Sequence, residues 1–236
     1  MPDRQDFRFE ALKARQRDIR AGFPHDFGLR IHRMISWIGR AELEPDDPAA
    51  AFIFLWIAFN AAYSDGGDLD GERTGERQRF AEFFGKVLEH DFDHLLYRSV
   101  WNDEARPIRD FIDNRFVFSP FWNFQHGRGA EDWEARFESG RATFEEALQD
   151  GDTAVVLSFL FDRLYMLRNQ LIHGGATWNS SVNRDQLECG VTLLGALLPA
   201  VAEIMMKFPM ADWGRPFFPV VAPSTDNFSS ESIDRE

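Results

Sequence analysis

The run from Ala49 through Phe52, Ile53, Phe54, Leu55, Trp56, Ile57 and Phe59 to Tyr63 constrains this chain more than any other stretch, because it is apolar on nearly every side. A helix with no polar face is stable in water only where other elements surround it. Asp46-Asp47-Pro48 just before it offers an N-cap carboxylate and a first-turn proline, so the spacing predicts a helix from Pro48 to about Tyr63. The run is too short to cross a bilayer, which leaves the centre of a globular domain as its place. Asn60 inside it is a buried amide, and an unmet amide costs about 1–3 kcal/mol. Two roles are open for it: a bond to neighbouring core backbone, or an orienting group beside a site.

Every other readable element is helical, and no period-two alternation lasts long enough for a sheet, so the expected fold class is all-α. Residues 6–21 form an amphipathic helix carrying Phe9, Leu12 and Ile19, and 27–40 a second one. Two helices are expected within 76–101, a short one at 107–114, and another at 131–149. Residues 183–208 place Leu187, Val191, Leu194, Leu198, Val201, Met205 and Phe208 at alternating steps of four and three, a bundle seam in which Pro199 predicts a kink or break. Residues 116–124, dense in aromatics and interrupted by Pro120, are expected to lie outside a helix, as a cover over the core or a partner surface.

The Gly- and Asp-rich stretch 64–75 reads as an exposed loop. Asp65, Asp68 and Asp70 in it lack the glycine and bidentate glutamate of a calcium loop. His90 and His94 have the spacing of two ligands on one helical face, but with no third ligand they read as surface histidines of an acidic helix rather than a zinc site. Prolines 209, 216 and 219 end the helical pattern, and a disordered tail is expected beyond Ala222. Neither a metal nor a cofactor is implied.

A formal charge of −13 opposes general attraction to nucleic acid, so any RNA contact must use a local patch. Residues 1–40 are the one basic region, at +4 against −17 for the remainder. A solvated helix face and a contact with RNA or an acidic partner both fit that arm. The single cysteine, Cys189, excludes an internal disulfide and suits a reducing compartment. With no apolar leader after positive charge, the chain is expected to be cytoplasmic, without membrane contact.

The helix that Asp152 should cap carries two adjacent apolar stripes: Val156, Leu160, Leu164, Leu167 and Leu171, then Leu157, Phe161, Tyr165, Arg168 and Ile172. Arg168 occupies a place normally given to a hydrophobe. So much apolar surface calls for two neighbours, such as the chain's own core and a second subunit. Five residues on stands His173, followed by Gly174-Gly175, which can end the helix in a left-handed cap. On one straight helix Arg168 and His173 point about 140° apart, so they converge only at a helix end or across a two-fold dimer. Brought together, His173 can move a proton to or from a ribose hydroxyl, Arg168 can hold a phosphate, and Asn169 can bond that phosphate or fix the histidine tautomer.

The segment Leu164-Tyr165-Met166-Leu167-Arg168-Asn169-Gln170-Leu171-Ile172-His173-Gly174 resembles the Arg-x4-6-His signature of the HEPN family of helical ribonucleases and defence proteins. Phe54-Leu55-Trp56-Ile57-Ala58-Phe59-Asn60-Ala61-Ala62-Tyr63 is similar to the first core helix of its Apea-like group. The resemblance implies a HEPN-like helical domain over 45–208, an N-terminal helical arm at 1–44 and a Pro-rich extension and flexible tail at 209–236. It further implies a homodimer through the motif helices, with Arg168, Asn169 and His173 of both copies lining one cleft. Active members cut RNA without metal, leave a 2′,3′-cyclic phosphate, and serve as toxins or antiviral effectors beside an antitoxin or other defence partner. Others are binding modules for RNA, nucleotides or proteins. The acidic charge points to a structured target, a basic partner or a narrow positive cleft.

Overall fold

The computed structural model describes residues 8–64, 76–103 and 105–220. These form an all-α bundle with no β-strand among the described residues. The helices are α1 (Phe9–Ile19), α2 (His25–Glu42), α3 (Pro48–Tyr63), α4 (Glu76–Leu88), α5 (Leu95–Arg98), α6 (Ala105–Ile112), α7 (Ser119–Gln125), α8 (Trp133–Asp150), α9 (Thr153–Ile172) and α10 (Arg184–Lys207). All of the expected loop at 64–75 except Ser64, and the expected disordered tail beyond Ala222, lie outside the described residues.

The apolar run is the central helix, packed by α2, α10 and α9. It starts where the sequence predicts, with Asp47 Oδ1 accepting from the N–H groups of Ala49 and Ala50 at 3.1 and 3.0 Å. Its far end lacks a basic residue of its own, and buried Arg30 of α2 supplies one, donating to the Ala61 and Ala62 carbonyls. Helices α1 and α2 contribute Leu12, Ile31, Met34, Ile35 and Ile38 to the same core as α3, α9 and α10.

Both stripes of α9 are used, chiefly within the chain. Val156, Leu160, Leu164 and Leu167 are fully buried, while Leu157 and Phe161 of the second stripe are equally so, with Phe161 set against Phe80 and Phe84 of α4. Burial falls away toward the helix end: Tyr165 and Arg168 are half-buried and Ile172 is exposed.

Two expectations need correction, and the kink or break expected at Pro199 is narrowed, since the break does not occur. Residues 119–125 are helical, because Pro120 sits in the first turn, where its missing N–H has no partner to lose. Helix α10 runs through Pro199 without a break, since burial on both sides outweighs a local penalty of roughly 3 kcal/mol. His90 and His94 do not share a helical face. Helix α4 stops at Leu88, and buried Asp91 turns the chain by accepting from the N–H groups of Leu95, Leu96 and Tyr97 at 2.7–3.1 Å. His90 is wedged between the rings of Phe208 and Trp213, and His94 is exposed in a left-handed conformation. No metal-ligating cluster occurs among the described residues.

Arg163 shares the buried face of α9 and is only 2% exposed. Its guanidinium lies 4.2 Å from the Phe118 ring centre and 5.7 Å from that of Phe137, while Nε and Nη1 find no hydrogen bond among the described residues. Burial pushes this group down to about 10, partly opposed by Asp162. The folded state therefore holds the proton less tightly than the unfolded chain, so charged Arg163 opposes folding at neutral pH and the opposition fades as pH rises above about 10. Arg163→Met is expected to stabilise the chain by about 1–3 kcal/mol at pH 7 in urea titrations. Arg163→Lys, unable to lie flat between the rings, is expected to destabilise it. A stability loss in the methionine variant would show that the ring contacts outweigh the desolvation.

Candidate functional site

The motif occupies the exit of α9. His173 is the C-cap, with φ −91° and ψ 11°, so helical phase persists up to it. Gly174 then takes φ +69°, and two bonds close the end: Gly174 N–H to the Leu171 carbonyl at 3.1 Å and Gly175 N–H to the Gln170 carbonyl at 2.7 Å. A side chain on Gly175 would press on the Gln170 carbonyl oxygen, 2.9 Å from a Cβ. The sequence Gly-Gly is thus what fixes where the helix ends and how His173 is presented, exposed to solvent.

Helical phase separates Arg168 and His173 within one chain. Arg168 faces a cleft of about 330 Å³ between α3, α4 and α9, whose lining includes Asn60, Tyr63, Arg79, Tyr165 and Phe217 but not His173. Asn169 accepts from Arg168 Nη1 at 3.0 Å, so its side chain orients the guanidinium rather than the imidazole. Asn60 is half-buried at this cleft, and its side chain makes no hydrogen bond among the described residues, to core backbone or to a motif residue.

Arg79 and Phe217 belong to the cleft without any local sequence signal. Arg79 lies over the Tyr63 ring at 5.4 Å. Phe217 arrives on the segment after α10, which is pinned by Arg33 Nη1 donating to the Phe218 carbonyl at 2.6 Å and by the Trp213 indole donating to the Phe208 carbonyl at 2.8 Å. Gln170 reaches outward to the Phe116 carbonyl, which the Trp122 indole also engages at 2.7 Å, so the aromatic segment is tied to the motif helix.

Beside the helix end runs an apolar groove of about 390 Å³ bounded by Ile53, Phe54, Leu171, Ile172, Trp178 and Leu187. Its rim is set by Asp47, which accepts from the Trp178 indole at 2.8 Å with the oxygen that does not cap α3. The Trp178 bond, then the Ala50 and Ala49 N–H groups and Arg184, hold the Asp47 carboxyl below the usual carboxylate range against desolvation. Because the folded value is depressed, Asp47 contributes stability above pH ~4 that is lost as pH falls through the folded value. Asp47→Ala is expected to lower stability by about 0.5–2 kcal/mol and to flatten that acid limb. Thermal melts between pH 2.5 and 7 check this, and an unchanged acid limb would remove Asp47 from the account.

A wider hollow of about 410 Å³ involves Arg77 of α4 and Arg136, Ser139 and Thr143 of α8. It contains no motif residue, and Arg136 there is already paired with Asp132 at 2.9 Å. Helix α10 is long and apolar enough to cross a membrane, but most of that length is buried inside the bundle. No protein-family model, curated protein or solved structure matches the chain.

Proposed function

We propose that this chain is a metal-independent endoribonuclease of the HEPN kind, acting as a homodimer in a prokaryotic toxin–antitoxin or antiviral defence system. The supporting observation is the exit of α9, where Arg168 lines the cleft between α3, α4 and α9 and His173 stands exposed at the cap. Since helical phase keeps them about 140° apart, the His173 that serves an Arg168-bound phosphate comes from the second copy. The apolar groove along Leu171 and Ile172 offers that copy a surface beside the motif.

In this reading the ribose 2′-oxygen attacks the adjacent phosphorus and the 5′-oxygen leaves, giving a 2′,3′-cyclic phosphate. His173 accepts the 2′-proton or donates one to the 5′-oxygen; Arg168, held by Asn169, offsets charge on the non-bridging oxygens. Incubation of purified protein with mixed RNA in EDTA tests it, and cleavage seen only with added metal would sink the mechanism.

One observation favours a second reading. The Arg168 cleft is assembled in one chain without His173, as a non-catalytic module binding RNA, a nucleotide or a protein partner would have it. Binding that survives in a dimer with no cleavage identifies that case.

A further inference from the structure

We propose that a cluster made by Lys13 and Arg17 of α1, Arg20 in the turn after it and His32 of α2 binds the phosphate backbone of an RNA strand. This rests on RNA as the ligand of the proposed function, but not on cleavage.

Lys13, Arg17 and Arg20 stand at steps of four and three, so about 60° of helical arc contains all of them. At the usual helical rise they spread over about 10 Å, an axial length in which one stacked strand carries about three phosphates. Lys13 is held in place. Its ammonium donates to Gln16 Oε1 at 2.9 Å and lies 3.1 Å from His32 Nδ1, and Gln16 is itself buried. The third N–H of Lys13 has no acceptor among the described residues. Burial first, then Arg17 and Arg20, hold the Lys13 ammonium below its usual range; burial, then Lys13 and Arg20, do the same to His32. Neutral His32 can accept from Lys13, so α2 braces the cation instead of repelling it.

Arg17 and Arg20 are exposed and form no ion pair among the described residues. Arg15, on the opposite face of α1, is by contrast paired with Glu203 at 3.0 Å. The dipole at the end of α1 favours Arg17 and Arg20, yet it does not account for Lys13 in mid-helix beside them. Like charges four apart weaken a helix, and an outside anion offsets that. A chain of formal charge −13 repels RNA in general, so a local row of cations is what contact with it requires. Phosphates repeat evenly along a strand and match such a row, whereas carboxylates on a protein surface have no fixed repeat. No residue of α1 or α2 lines the Arg168 cleft, so this contact positions a strand from outside the site and reads no bases.

The test uses full-length His173→Ala protein in EDTA, so that cleavage does not interfere. Fluorescein-labelled dodecauridylate and a mixed-sequence strand of the same length are titrated by anisotropy at salt concentrations from about 0.05 to 0.2 M. Arg17→Gln with Arg20→Gln is expected to weaken both strands alike, at least roughly tenfold at about 0.1 M salt, and to lower the slope of log affinity against log salt by about 1.4. Adding Lys13→Gln should lower it by about 0.7 more. Arg106→Gln with Arg128→Gln, an equal change of charge at exposed positions elsewhere, should leave affinity nearly unchanged; circular dichroism melts verify that all variants fold. No binding by the parent protein, unchanged affinity in the Arg17/Arg20 double variant, or an equal loss in the control overturns the proposal. Poly-glutamate displacing the strands as well as unlabelled RNA of equal charge also overturns it, and assigns the cluster to an acidic protein. Cluster-dependent binding with no cleavage by the wild-type chain supports this contact and removes the ribonuclease reading; cleavage with cluster-independent binding does the reverse.

Discussion

In EDTA, His173→Ala is expected to slow RNA cleavage by about 10²- to 10⁴-fold, the usual contribution of a positioned general acid or base. Arg168→Ala is expected to cost about 10²- to 10³-fold through lost charge stabilisation. The double variant should fall little further, because groups acting on one transition state are not additive. Mixing the two single variants is more telling. A dimer of one His173→Ala copy and one Arg168→Ala copy still joins the intact Arg168 of the first to the intact His173 of the second. Random exchange of subunits should therefore restore roughly a quarter of wild-type activity from two nearly dead proteins, given a two-fold dimer with two sites. A site built within one chain gives no recovery, since each copy then lacks a group of its own. Absence of recovery, with exchange verified by mass spectrometry, would overturn the composite site while leaving the residues in question.

What could be read from the sequence is what local chemistry controls. Asp47 and Asp152 cap α3 and α9 as expected, because a carboxylate two or three residues before free N–H groups needs nothing distant to do so. The central place of α3 follows from its lack of a polar face, and the end of α9 from Gly174-Gly175. Arg168 stands out as a misfit in an apolar stripe, and the structure gives the reason: Phe161 is fully buried on that stripe, whereas Arg168 is half-buried at the edge of a cleft. Arg163 gives no such signal. It reads as a polar interruption, and its burial depends on Phe118 and Phe137, brought in from distant segments. The cleft is hidden for the same reason, since Asn60, Arg79, Arg168 and Phe217 come from four separate stretches and no spacing between them is regular. Pro120 and Pro199 show the limit of local rules from opposite sides: one begins a helix, and the other is carried through one by its packing.

Phe161→Ala is expected to lower the stability of the chain by about 3–5 kcal/mol, a large part of the roughly 5–15 kcal/mol that holds a domain folded. Phe161 is fully buried, with the rings of Phe59, Phe84, Phe80 and Trp56 centred 4.4, 4.7, 6.0 and 6.4 Å from its own. Those rings belong to α3 and α4, so one side chain joins three helices, and helices that meet through a shared ring cannot all close on the void it leaves. Phe161→Leu keeps most of the volume and should cost about 1–2 kcal/mol, largely the lost ring–ring geometry. Equilibrium urea titration measures both, and a loss below about 1 kcal/mol for alanine would mean that the cluster collapses freely. The same substitution reaches the site. Tyr165 and Arg168 follow Phe161 by one and two turns on the same stripe, and α4 carries Arg79 toward them. Where the leucine variant remains folded, its rate of RNA cleavage in EDTA should fall while a surface variant of equal stability loss keeps its own. That comparison separates a wall that shapes the cleft from a core that merely keeps the chain folded.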